Sequence, residues 1–473
     1  MATTIEFGEW MPDQAGITGA IQEAYNVVPQ AIGYGVLPEL VDLSASASEN
    51  LTNVFATKFG GTTTLFAAGT TKLFKFDSSD LSLDDVSKSG GYTTADRFYF
   101  AQFGQKLIAA NGNSKLQAWD LGSSTAFADL ASAAPAAKFV TVIRDFVVAA
   151  NTSSAPSTVY WSDINDETDW TPSDLSQSDS QIIPDGGDIR GITGGEFGLV
   201  FLEKAISRMS YVGAPLFFQF DTIAKNIGCY EANSIAQFGN LSFFLSDDGF
   251  YMCDGQSVLP IGAEKIDRYF FTNVDQSKID QMSATVDSIR KLVIWQFTDI
   301  FARKRLMIYN WQSKKWSEGE TTSDYLAPIA TAGVTLEALD TYGTMDSIST
   351  SFDSRLWAGG KFVSAGVKGA KIVTFTGSPK EGYITTGDIG NGSQSIVTLA
   401  KPKIDNGSSS VAVYSRNLLT AVPTFGTATA SDSENRVSLR SSGNYHRLRV
   451  YPSGSNWKTA VGVDVTVIPT GGR

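Results

Sequence analysis

One unit recurs along this chain and limits what it can fold into: an apolar strand, a tight turn, a second apolar strand, a polar turn, and a third strand that often ends in an aromatic residue followed by Asp or Asn. With the first turn of each unit at Gly60, Gly104, Asp145, Gly198, Gly239, Ser288 and Gly333, the steps are 44, 41, 53, 41, 49 and 45 residues. Stretches such as Thr64 to Phe76, Arg97 to Trp119 and Phe139 to Trp161 alternate apolar and polar residues between Gly, Asn, Asp and Ser clusters. That is the pattern of short antiparallel strands. A period of roughly 40 to 50 residues with three or four strands each belongs to the blade of a β-propeller. The endings FKFD at Asp77, QAWD at Asp120, YMCD at Asp254 and IYNW at Asn310 fall in phase with it. A further hairpin-like stretch, Leu356 to Thr376, adds a blade or closes the ring, so six to eight blades are expected. Two β-sandwiches in tandem are the competing architecture, but seven consecutive units is a long run for them. Helical periodicity is nearly absent; the best candidate is a short turn near Asp275 to Met282, with Asp275 as its cap.

The expected fold class is therefore all-β, a propeller over 51–377. Beyond about Gly377 the texture changes to dense Gly, Ser, Thr and Asn, yet strands such as SIVTLAKPKI and NYHRLRVYP persist, which predicts an additional sandwich-like β domain over 378–473. Residues 1–50 hold few strand candidates and several turn signals, and read as an N-terminal arm or ring-closing segment.

Composition narrows the function. Among 473 residues there is one histidine, His446, so no multi-histidine metal site can form and any Ser-His-Asp triad must use it. No Gly-x-Ser-x-Gly elbow accompanies it, so His446 is expected to be structural. Two cysteines, Cys229 and Cys253, are too few for a disulfide scaffold and read as small buried hydrophobes. A net charge of −12 argues against tight nucleic-acid binding. The opening MATTIEFGEWMPDQ lacks a basic leader and an apolar run, from which cytoplasmic assembly is expected. No apolar run approaches the length of a membrane span.

The most tempting local cluster is WSDINDETDW, with Asp163, Asn165, Asp166, Glu167 and Asp169 between Trp161 and Trp170. Five oxygen-bearing side chains in seven residues suggest calcium, but Thr168 stands where an EF-hand turn needs glycine and no bidentate Glu closes the loop. An Asx-turn loop anchored by the two tryptophans is the preferred reading, with calcium left open. No cofactor is expected. The string SDDGFYM from Ser246 lacks the spacing and tryptophan of a sialidase Asp-box, and Trp119-Asp120 is a single Trp-Asp without Gly-His. The glycine pairs Gly60-Gly61, Gly90-Gly91, Gly194-Gly195 and Gly359-Gly360 are out of phase with a kelch repeat and read as strand breaks. Arg436, Arg440, Arg447 and Arg449 are expected to form a solvated face or to meet an acidic neighbour. Arg303, Lys304 and Arg305, like Lys314 and Lys315, are expected to serve solubility at a hairpin.

Several strings together carry a resemblance. ITGGEFGLVFLEKAISRMSYVGAPLFFQFD from Ile192, WSDINDETDW, FFLSDDGFYMCDGQSVLPIGAEKIDRYFF from Phe243, SSGNYHRLRVYPSGSNW from Ser441, and FGEWMPDQ followed by NVVPQAIGYGVLP resemble tail nozzle proteins of short-tailed bacteriophages, also called packaged-DNA stabilisation proteins. The motif residues that carry it are Trp161, Asp163, Asn165, Asp166, Trp170, Gly194, Gly195 and Gly249; none is a catalytic fingerprint. The resemblance implies a non-enzymatic virion protein, assembled in the host cytoplasm, that forms a homohexameric ring below the portal and its adaptor ring. Such a ring extends the channel, retains packaged DNA and lets double-stranded DNA pass at ejection without specific binding; tail fibres and a distal tail plug are further candidate partners. Six copies would carry roughly −72, six times −12, a field that repels phosphate and is screened over about 8 Å at physiological ionic strength. The alternatives are a propeller that binds or hydrolyses a host-surface glycan with paired carboxylates, and a monomeric scaffold propeller.

Overall fold

A computed structural model describes residues 2–331, 360, 362–422 and 424–470. Within them lie seven four-stranded antiparallel blades, over 53–85, 99–129, 137–182, 189–225, 236–260, 283–320 and 325–379. The chain is a β-propeller. Blade seven is built from Tyr325–Ala330, Phe362–Lys368 and Lys371–Pro379, and its outermost strand, Pro38–Asp42, comes from the N-terminal region. The ring is thus closed by pairing strands from opposite ends of the propeller sequence, which leaves no blade short of its fourth strand. Gly333 and the Leu356 end of the hairpin-like stretch lie outside the described residues, as does Gly359.

The first turns at Gly60, Gly104, Asp145, Gly239 and Ser288 join the first two strands of their blades. In blade four the turn falls earlier: Gly198 is the first residue of strand Gly198–Leu202, and Gly194–Phe197 make the bend. Second strands are the most apolar because they are covered on both faces by neighbouring blades; all of Gly198–Leu202 and all of Leu292–Thr298 are buried. The core is accordingly a ring of clusters lying between consecutive blades. Leu65, Phe74 and Ile329 join blades one and seven, Phe66, Leu107 and Trp119 join one and two, and Leu292, Leu306 and Leu326 join six and seven.

Blade six does not end at its fourth strand. Lys315–Glu320 is followed across the sheet by Glu23–Tyr25, Tyr383–Thr385, Tyr445–Ser453, Ser408–Arg416 and Thr429–Ala430, giving nine strands in one sheet. Facing this extension is a six-stranded sheet of Val27–Pro29, Tyr34–Val36, Thr459–Pro469, Ser395–Ile404, Val437–Gly443 and Ala2–Glu6. The two share a core, in which Val397, Val411, Leu448, Val463 and Trp457 are continuous with Trp10, Trp295 and Trp316 of the blade six side. Residues 2–36 are therefore woven into the C-terminal strands.

Helix is scarce. Asp275 caps a 3-10 turn, Gln276–Gln281, by accepting from Ser277 N at 3.0 Å. One α-helix, Asp267–Asn273, was not legible in the sequence; Asp13, far away in the chain, accepts from Arg268 N and Tyr269 N at 3.0 and 2.9 Å and supplies the start signal that the local sequence lacks.

Candidate functional site

The WSDINDETDW loop follows the third strand of blade three, Ala155–Trp161. Its carboxylates are engaged by backbone and hydroxyl donors. Asp163 Oδ1 accepts from Gln177 N at 2.7 Å, Asp166 Oδ1 from Thr168 N and Oγ1 at 2.9 and 2.6 Å, and Asp169 Oδ1 from Thr171 N at 2.9 Å. The Thr168 bonds hold the Asp166 carboxyl below its usual range. Asn165 takes φ 56°, a conformation its side chain tolerates better than most. Glu167 pairs with Lys106 of blade two at 2.8 Å. Among the described residues no three His, Cys, Asp or Glu side chains converge to hold a metal ion. The loop holds two successive Asx turns, at Asp166 and Asp169, and Asp163 ties its start to Gln177.

Its tryptophans look in opposite directions. Trp161 packs edge-on against Phe218 of blade four at 5.2 Å and donates from Nε1 to Gln177 O at 2.8 Å. Trp170 enters the cluster shared with blade two, beside Leu130 and Val147, and its Nε1 reaches Glu167 O at 2.8 Å. One loop thus fastens blade three to both neighbours.

Gly194 and Gly195 pin blade four to blade three. A Cβ on Gly194 would stand 2.1 Å from Val142 O, Gly195 N donates to Val142 O at 3.0 Å, and Arg144 N donates to Gly195 O at 2.8 Å. From the other side, Gln237 of blade five donates to Gly194 O at 2.6 Å and to Gly239 O at 2.9 Å. Gln102 of blade two repeats this toward Lys58 O of blade one at 2.8 Å and Gly104 O at 2.9 Å. Both glutamines lie in the same tetrapeptide, AQFG, at Ala101–Gly104 and Ala236–Gly239. The repeated tetrapeptide was the available signal for these residues.

Gly249 lets a buried carboxyl approach the chain. A Cβ there would meet Asp267 Oδ2 at 2.2 Å, and one on Gly262 would meet Oδ1 at 2.0 Å. Asp267 accepts from Phe250 N at 3.2 Å, and burial, with Asp13 and Asp248 nearby, pushes its carboxyl up to about 7.

His446 is fully buried and joins the two facing sheets, its Nδ1 2.6 Å from Ser415 Oγ and its Nε2 2.9 Å from Ser395 Oγ. Burial lowers its pKa. The expectation of a solvated arginine face is corrected at two positions. Arg447 and Arg416 clamp the almost wholly buried Asp388, and Arg449 pairs with Glu23 while stacked on Tyr383 and Phe425. The N-terminal strands supply acids that the C-terminal sequence alone could not reveal. Arg305 likewise pairs internally with Glu318 at 2.8 Å, against its expected role in solubility. Both cysteines are buried, and burial pushes the Cys229 thiol up to about 12.

The inner strands of all seven blades line an axial cavity of about 280 Å³ that opens to solvent, with Arg97, Tyr99, Thr141, Thr193, Asn233 and Leu326 among its lining residues. No helix of the described residues is long and apolar enough to cross a membrane.

No protein-family model and no curated protein matches this chain. Solved structures do. The chain is similar to BamB from Moraxella catarrhalis over 64% of this chain and 87% of that one, with 11% identity and a TM-score of 0.38. It is similar to the Pan2 WD40 domain of Neurospora crassa over 72% of this chain and 96% of that one, at 6% identity and a TM-score of 0.41. A chain of the Mitotic Checkpoint Complex matches at 9% identity, 62% and 89% coverage and a TM-score of 0.38.

Proposed function

We propose that this chain is a structural protein of a short-tailed phage tail, a nozzle-type wall that assembles as an oligomeric ring below a portal and adaptor and conducts DNA without binding it. The observation that carries this reading is the unbroken nine-strand sheet running from blade six into the C-terminal strands, with one core on its buried face. Such a joint makes the propeller and the second β unit a single stiff body, as a wall under load requires, where a tethered binding module would be joined by a linker. The acidic balance supports it further, since each unpaired Lys or Arg facing a lumen would add attraction for phosphate.

The test is copy number and position. Quantitative mass measurement of virions and light scattering of the isolated chain are expected to give about six copies in a closed ring, and micrographs of particles labelled at the C-terminus are expected to place the label at the tail. A monomer that releases reducing ends from host polysaccharide would overturn the proposal in favour of the glycan-active reading.

A further inference from the structure

The axial cavity holds a charge that no carboxylate among the described residues pairs with. Among the described residues that line it, Arg97 is the one charged side chain. Arg305 has Glu318, and Arg416 and Arg447 share Asp388, all within 2.9 Å, whereas Arg208, away from this cavity, likewise has no ion pair among the described residues and rests on Gly255 O and the Phe197 ring. Arg97 enters no ion pair among the described residues. Its Nη2 leans on Asn53 Oδ1 at 3.3 Å and Leu326 O at 3.4 Å, its plane lies over the Tyr325 ring at 5.2 Å, and its buried Nε has no hydrogen-bond partner. Glu231 acts on it from a distance, its own carboxylate engaged by Asn233 N and Nδ2 at 3.1 Å. A desolvated guanidinium without an anion is costly, and burial pulls its proton affinity below the ordinary arginine value.

The surroundings are those of a receptor for something small. Asn53 and Asn233 are fixed by bonds to Phe98 O at 2.8 Å and to Tyr99 Oη at 2.8 Å, so the polar wall is held in place before anything enters. Thr141 and Thr193 line the same cavity, and Phe55, Phe100 and Phe139 give it an apolar part. We infer that the axial cavity binds a small oxyanion, a carboxylate or phosphate no larger than a single sugar acid, with the Arg97 guanidinium as its charge partner. Guanidinium is suited to both anions because its planar fork matches two oxygens. This site is independent of the wall reading, since it lies within one chain and needs no neighbouring copy.

Calorimetric titration of the full chain with galacturonate, with inorganic phosphate and with uncharged galactose tests it. One equivalent of galacturonate or of phosphate is expected to bind saturably and galactose not at all; which anion binds distinguishes the carboxylate from the phosphate source. Arg97→Gln is expected to weaken binding by about tenfold or more, and Arg97→Lys, which keeps the charge and loses the fork, by a smaller factor. Should Arg97→Gln fail to fold, Arg97→Lys and Thr193→Val decide. Absence of binding by both anions, equal binding of galactose, or affinity unchanged in the folded variants would overturn the inference.

Discussion

Asp254 closes the turn after the third strand of blade five by accepting from Gln256 N and Ser257 N at 2.9 and 2.7 Å. Asp77 accepts from Ser79 N at 2.8 Å in blade one, and Asn310 from Gln312 N and Ser313 N at 3.0 and 2.9 Å in blade six. At these three blades the Asp or Asn that ends the third strand makes an Asx turn, which short side chains make well, whereas Asp120 of blade two closes its turn through its own carbonyl, which accepts from Ser123 N and Ser124 N. Asp254→Ala is expected to lower stability by about 1 kcal/mol in urea titration, with the slope unchanged. Asp267 predicts a pH effect of definite sign. Its carboxyl titrates near 3.8 in the unfolded chain and at about 7 in the fold, so between those values the unfolded chain releases a proton that the fold keeps. Its contribution to stability therefore falls as pH rises through that window and is level above it. Asp267→Asn keeps an acceptor for Phe250 N and removes the ionisation. The difference in unfolding free energy, variant minus wild type, is expected to grow in favour of the variant from pH 4 to pH 7 by on the order of 1–2 kcal/mol; a difference flat with pH would refute it. Measuring a difference cancels the opposing contribution of His446, whose lowered pKa favours the fold as pH rises.

At the scale of elements, the bonds between blades are the informative ones. The AQFG glutamines each hold a neighbouring blade's first turn, and Gln237→Ala removes donors to Gly194 O and Gly239 O together. It is expected to cost about 1–2 kcal/mol, with faster hydrogen exchange at Gly194 and Gly195 than at blade one. The closing strand Pro38–Asp42 is the other decisive element. Its pairing with Lys371–Pro379 covers an edge whose Val373 and Phe375 are buried. A chain lacking residues 1–42 is expected to expose that edge and to elute as aggregates in size-exclusion chromatography. Strand patterning made the blades legible, because each strand's alternation is local. The blade four turn falls a few residues before the position the repeat predicts, because Gly194 is set by contact with Val142 O, a neighbour supplied by a different blade.

Across the whole molecule, the joint between blade six and the second β unit concentrates the polar interior. Glu318 accepts from Arg305 and from Tyr269 Oη at 2.8 and 2.7 Å, Tyr25 Oη donates to Glu320 at 2.5 Å, and Tyr25 stacks on Tyr383 at 5.1 Å. A fragment of residues 378–473 lacks residues 2–36, four strands of the shared core and the Glu23 partner of Arg449. It is expected to show no cooperative thermal transition by circular dichroism, and adding a peptide of residues 2–36 to restore some of it. The sequence by itself determined the strands, their grouping into blades and the Asx turns that end them, since alternation and short polar side chains act within a few residues. Only the tertiary structure decided that the N-terminal strands complete blade seven and the C-terminal core, that Arg447 and Arg449 turn inward, and that Arg97 lines the axial cavity with no ion-pair partner among the described residues. Those outcomes depend on which distant segments meet, and pairings separated by hundreds of residues leave no periodic trace in either partner.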